Sequence, residues 1–224
     1  MKPLYTNHSL RADDDDNEDT PPLPLYRRYD SQGVIHQISF YLSGEIGAPI
    51  QYTDMLYAMR TASETDLIFL HLNTPGGNFD TGLQIINNIA ASPARVVTIL
   101  ESRAYSMGAL IFLAGDELIV HDTCQLMFHN YSSALIGKGN EQQAQVLAIS
   151  KWFEKVMRNV CKPFLADEEV ERILRGEDIW MDSDEIRRWH TCKKASPPPC
   201  RASTKPKPPW LLPPRNEASR RGQR

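Results

Sequence analysis

Leu72-Asn73-Thr74-Pro75-Gly76-Gly77-Asn78 and Ala104-Tyr105-Ser106-Met107-Gly108-Ala109 are the two stretches on which the reading of this chain turns. Each comes after an apolar run with strand character and opens into a helical pattern. A Gly-Gly turn behind a buried strand can aim bare backbone N–H groups into a pocket, because glycine accepts φ > 0 and lets a substrate approach the main chain. A serine at a strand-to-helix turn supplies a nucleophile, and the N–H after it lies at the positive end of a helix.

The surroundings of these stretches are built from alternating strands and helices. His36–Ser43 alternates, with Ile38, Phe40 and Leu42 on one face, and reads as a half-buried strand closed by Gly44 and Gly47. Thr53 is placed to cap a helix carrying Leu56, Met59 and Ala62 on one side. Leu67–Leu72 is a continuous apolar run broken only by His71, as in a strand covered on both faces. Asp80–Ala91 has helical spacing and is stopped by Pro93, after which Val96–Leu100 is β-branched and strand-like. Crossovers of this length imply parallel pairing. Ser106–Ala114 then reads as a short buried helix that Gly115 ends, with strands after it at Glu117–Val120 and Leu126–His129. Glu141–Lys162 is expected to be a long helix with Val146, Ile149, Phe153, Val156 and Val160 on one face, which a lone surface helix would not leave in water. A helix over Asp167–Arg175 ends at Gly176, a turn holds Asp178, and Ser183 caps a short helix at Asp184-Glu185-Ile186.

A serine nucleophile needs a base and an orienting acid. Of six histidines, His8 lies in an acidic arm, His36 starts a strand, His71 reads as a satisfied core histidine, and His190 lies far from either motif. His121 stands next to Asp122, but adjacent strand residues point to opposite faces, which leaves this pair poorly placed to bond. His129 ends an apolar strand and opens a loop, where a base can reach a neighbouring turn. His121 stands as its alternative. Glu177, Asp178, Asp182 and Asp184 are the clustered acids, and acids near a helix start are commonly caps. Asp178 is preferred because the apolar pair Ile179-Trp180 behind it is expected to bury its carboxylate beside the histidine.

With Met127-Phe128-His129-Asn130 and Gly176-Glu177-Asp178-Ile179-Trp180 added, the motifs resemble those of the ClpP family of serine peptidases over roughly residues 34 to 188. Thr74 stands where that family more commonly has serine, and keeps the hydroxyl. The resemblance implies an α/β fold, the crotonase/ClpP-like spiral of repeated strand-strand-helix units with a long handle helix at about 140–162. It implies Ser106 as nucleophile, His129 as general base, Asp178 as orienting acid, and the N–H groups of Gly77 and Met107 as oxyanion hole. It further implies a homo-oligomer of stacked heptameric rings enclosing the sites, a polypeptide substrate, and ATP used only by a separate AAA+ unfoldase. No metal or organic cofactor is required, and no Gly-x-x-x-x-Gly-Lys-[Ser/Thr] phosphate loop occurs in the chain. Past residue 188 the family's final strand has no counterpart; the chain runs Arg187-Arg188-Trp189-His190-Thr191-Cys192 into a Pro-rich segment, a lost strand or a shifted reading frame.

Composition bounds the rest. The 224 residues, 41% of them apolar, suffice for one sizeable domain, read here as residues 31–190. Residues 1–30 hold Asp13-Asp14-Asp15-Asp16-Asn17-Glu18-Asp19 and several prolines, and read as a disordered arm. Residues 191–224 carry eight of the sixteen prolines and a strong basic excess, and also read as disordered. Such a tail is usually just solvated, so no specific nucleic-acid partner is inferred. The four cysteines lack C-x-x-C spacing, which fits a reducing cytoplasm; the resemblance implies, as alternatives, an organelle stroma or matrix or the cytoplasm of a phage-infected host. No apolar run reaches the length that spans a bilayer, so no membrane partner is expected. The function expected is a serine endopeptidase acting inside a ring-shaped chamber. Its alternatives are a non-catalytic ClpP-like structural subunit and a phage prohead maturation protease; an acyl-CoA enzyme of the crotonase superfamily would not need the Ser-His-Asp set.

Overall fold

The structure, a computed structural model, describes residues 35–194, with side chains as far as Arg188. The acidic arm over 1–30 and the basic tail beyond 194 lie outside the described residues. The chain runs β1 (Gln37–Ser43), a 3-10 turn (Pro49–Tyr52), α1 (Thr53–Thr61), β2 (Leu67–Thr74), α2 (Phe79–Ala91) and β3 (Arg95–Tyr105). It continues through α3 (Met107–Leu113), β4 (Glu117–Val120), β5 (Gln125–Phe128), α4 (Gly139–Val160), α5 (Asp167–Leu174), β6 (Ile179–Asp182) and α6 (Ser183–Lys194).

One sheet collects the six strands in the order β1-β2-β3-β5-β6, with β4 also on β3. Every pairing is parallel except β5 with β6. The central strand, β3, is longer than the Val96–Leu100 run its β-branched residues announce. Its first half pairs with β4 over Val97–Leu100 and its last residues, Arg103–Tyr105, pair with β5. Between them the register against β2 slips: Leu72 faces Leu100, whereas Thr74 faces Ala104. Two extra residues in β3 thus make a bulge, which bends the strand and re-aims its C-terminal end.

The core lies between one face of this sheet and the helices. Ile68, Leu70, Leu72, Val96 and Leu100 meet Met59, Ile85, Ile89, Ile111 and Phe112, all nearly inaccessible. Thr98, buried among them, donates its hydroxyl to the Phe112 carbonyl at 2.7 Å, so its polar atom is not stranded. Thr53 opens α1 but does not cap it; its hydroxyl donates to the Ile50 carbonyl at 3.0 Å, because the preceding 3-10 turn already leads the chain into the helix.

Two further expectations need correction. The turn expected around Asp178 leads directly into β6, a four-residue strand too short and too mixed in character to announce itself. The last helix is also much longer than Asp184–Ile186, since Ser183 Oγ donates to the Asp122 carbonyl and Arg187 reaches the Val120 carbonyl at 3.0 Å, fastening α6 beside β4.

The long helix, α4, divides. Phe153 and Met157 are buried within the chain, with Phe153 against Phe79 and Tyr131 at ring distances of 5.9 and 5.2 Å. Val146, Leu147 and Trp152 remain exposed at 44%, 57% and 45%. Of the apolar face, the C-terminal part is covered by this chain and Val146 is left exposed; Leu147 and Trp152 are exposed to either side of that face. Among the described residues no helix is long and apolar enough to cross a membrane.

Burial raises the Cys124 thiol and pushes that of Cys161 up to about 12. Cys124 also donates to the Leu100 carbonyl at 2.9 Å. Since the thiolate is the reactive form, iodoacetamide at about pH 8 is expected to leave both cysteines unmodified in the native protein and to alkylate both in denaturant, as read by peptide mass mapping.

Candidate active site

Parallel strands end at one edge of their sheet, and the loops beyond that edge form the usual crevice for ligands in such sheets. The turn after β2 carries Gly76 and Gly77, the turn after β3 carries Ser106, and the segment after β5 carries His129. Because β3 lies between β2 and β5 at this edge, the three turns converge.

The turn after β2 is fixed at several points. Thr74, fully buried, accepts the Gly76 N–H on its hydroxyl at 3.1 Å. Ile46 forms a parallel bridge with Gly77, donating to the Gly76 carbonyl and accepting from the Asn78 N–H, both at 2.8 Å. In such a bridge the residue between the two bonded peptides, Gly77, turns its own N–H away from the partner segment. Asn78 then caps α2, accepting the Thr81 N–H at 2.9 Å. Both glycines have positive φ, +96° and +141°. A Cβ on Gly76 would stand 2.7 Å from the Tyr105 carbonyl oxygen and 2.8 Å from Ser106 Cβ, so this turn sits directly on the serine. A Cβ on Gly77 would collide with the Ile46 backbone.

Ser106 has φ 54° and ψ −121°, the sole non-glycine with positive φ among the described residues. Such a conformation costs about 1–3 kcal/mol and holds only where the surroundings enforce it. Here they do. The Ser106 N–H donates to the Met127 carbonyl of β5 at 2.8 Å, and its carbonyl accepts from the Ala109 N–H at 3.1 Å at the start of α3. Met107, Leu110, Ile111 and Phe112 of that helix are buried, worth about 1.5–3 kcal/mol each, which exceeds the strain. The Met107 N–H, first in its helix, has no intrahelical acceptor.

Gly77, Ser106, Met107 and His129 line one cavity of about 90 Å³, walled by Phe79, Leu110, Phe128, Tyr131, Phe153 and Met157. Ser106 and His129 are both partly accessible there. Tyr131, which the sequence does not single out, is anchored to α4 by a 2.8 Å hydroxyl bond with Ser150.

Asp178 lies elsewhere on that edge. It is not in the cavity wall, and its side chain is exposed rather than buried as its apolar neighbours suggest. The reason is strand alternation: Ile179 and Met181 point inward, so the residues between and before them point out. The β5–β6 register nevertheless brings it near the histidine. Phe128 faces Ile179 as the last pair of the ladder, so the next step sets Asp178 opposite His129. Among the described residues no hydrogen bond joins Ser106 to His129 or His129 to Asp178.

The other sequence candidates are engaged away from the cavity. His71 Nδ1 lies 2.5 Å from Glu101 Oε1, with the ring stacked on Tyr41 at 4.3 Å. His121 Nε2 is 3.6 Å from the same carboxylate group, while Asp122 pairs with Arg187. Glu177 bonds Arg172, which holds its carboxyl below the usual range. Asp182 accepts the Glu185 N–H at 2.9 Å as a cap. Among the described residues no group of three His, Cys, Asp or Glu side chains could hold a metal ion.

The Clp protease family matches residues 31–189. An ATP-dependent Clp protease proteolytic subunit 3 of Rhizobium meliloti is 25% identical over 186 residues, 80% of this chain and 93% of its own. An ATP-dependent Clp protease proteolytic subunit of Borreliella afzelii is 30% identical over 166 residues, 70% of this chain and 81% of its own.

If the Ser106 backbone is held under strain, Ser106→Gly should be more stable than Ser106→Ala, by about 1 kcal/mol after allowing for glycine's chain entropy. Parallel thermal melts of the two variants check this.

Proposed function

Because the chain belongs to the Clp protease family, we propose that it is a serine endopeptidase in which Ser106 attacks the peptide carbonyl, His129 takes the serine proton, and Asp178 orients the imidazole. The observation that carries this reading is the common cavity of Gly77, Ser106, Met107 and His129. The N–H groups of Gly77 and Met107 stabilise the tetrahedral oxyanion, and the protonated His129 then gives its proton to the leaving amine. Water releases the acyl group by the same route in reverse. The chemistry uses no metal and no organic cofactor. Asp178 acts from the ladder position opposite His129, one step past the pair Phe128 and Ile179.

The subunit is proposed to work in a ring, as a stacked heptameric homo-oligomer, and to receive polypeptide from a separate ATP-driven unfoldase, in keeping with the relatives named ATP-dependent. The exposed half of α4 supports an assembly, since Val146, Leu147 and Trp152 would otherwise face water. Phe153, buried in its own chain, is not the residue that tests it. Leu147→Asp is. It is expected to lower particle mass in sedimentation and to cut peptidase activity while thermal stability of the separated subunit is kept; unchanged mass would tell against the assembly.

For the chemistry, Ser106→Ala and His129→Ala should each remove turnover of a small peptidyl reporter by several orders of magnitude, and the double variant should be no worse. His121→Ala should stay active. A fluorophosphonate that labels wild type but not Ser106→Ala supports the reading. An unlabelled, inactive wild type would favour a non-catalytic subunit.

A further inference from the structure

The antiparallel ladder of β5 and β6 stops at the pair Phe128 and Ile179, one step short of His129 and Asp178. Among the described residues no backbone bond joins the two segments beyond that pair, yet the proposed base and acid sit on the two free ends. The Asn130 side chain spans the gap. Its Nδ2 donates to the Leu174 carbonyl at 3.0 Å, and its Oδ1 accepts the Tyr131 N–H at 2.9 Å.

Leu174 is the last residue of α5, where carbonyls lack intrahelical donors. From there to the acid the chain is stiff. The Gly176 N–H bonds the Ile173 carbonyl at 2.9 Å and the Glu177 N–H bonds the Arg172 carbonyl at 3.0 Å, with Gly176 at φ +98°. That pair of bonds is a Schellman turn. The ion pair between Arg172 and Glu177 closes it again on the outside. A displacement of Leu174 is therefore passed on to Asp178, and the Tyr131 bond fixes the amide from which the clamp starts.

We propose that Asn130 is a positioning residue: it clamps the His129 segment to the end of α5 and so sets the distance between His129 and Asp178. This rests on the peptidase reading above. Asn130 touches neither substrate nor the reacting atoms; it works through the rigid turn. A misplacement of about 1 Å in such a pair costs on the order of a hundredfold in rate.

The experiment compares Asn130→Ala and Asn130→Asp with wild type, as assembled particles, on a peptidyl reporter and with a fluorophosphonate. Asn130→Asp keeps the acceptor for the Tyr131 N–H but faces the Leu174 carbonyl with an oxygen. Both variants are expected to lose about ten- to a hundredfold in kcat and in labelling rate with KM and particle mass unchanged. A wild-type kcat in Asn130→Asp overturns the clamp, as does a loss in either variant confined to KM or explained by a fall in mass. A wild type that neither turns over nor labels overturns the peptidase reading, and the clamp with it.

Discussion

The bulge in β3 is the constraint on which the site depends. A parallel strand can hold one neighbour on each edge, yet β3 must meet β4 early and β5 late. The two added residues between Leu100 and Ala104 allow it to change partners and still return to β2 in phase. Past that slip Tyr105 leaves the sheet paired with β5, and not beside β4, whose loop carries His121. The strain at Ser106 is tolerable for the same reason: its N–H finds the Met127 carbonyl because β5, not β4, lies alongside there.

The apolar walls of the cavity come from elements that meet only in three dimensions. Phe79 opens α2, Tyr131 lies past the end of β5, and Phe153 belongs to α4, yet the Phe153 ring is 5.9 Å from that of Phe79 and 5.2 Å from that of Tyr131. Packing of α4 against the domain and the shape of the cavity beside Ser106 are thus one problem rather than two. Glu101, by contrast, gathers His71 and His121 on another part of the sheet, which explains why neither histidine is available at the cavity.

Much of this is legible in the residues. The period-2 run at Gln37–Ser43 and the apolar run at Leu67–Leu72 announce strands, and Pro93 marks where α2 ends. Gly76, Gly77 and Ser106 carry their own signal, since two adjacent glycines after a strand and a serine before small residues are constrained by backbone geometry that leaves a mark on composition. The features that stay hidden depend on long-range pairing. The bulge in β3 is set by partners far along the chain, and Glu101 to Arg103 look like any polar strand end. β6 escapes notice because Ile179–Asp182 is too short for a period to stand out. The exposure of Asp178 depends in turn on an alternation that cannot be counted until the strand is known. Asn130 gives no signal beyond standing next to His129; its role lies in a carbonyl 44 positions away.

The antiparallel β6 has a consequence for how the chain comes off the ribosome. The other five strands can pair as they emerge, but β5 faces an empty flank until α4 and α5 have been made and the chain has turned back. In that interval β5 is an open edge, with Leu126 and Phe128 unshielded, and open apolar edges invite pairing with other chains. A nascent chain stalled within α5 would thus be the aggregation-prone one, while the β1-β2-β3 segment, made of successive neighbours in the sheet, is the part already folded by then.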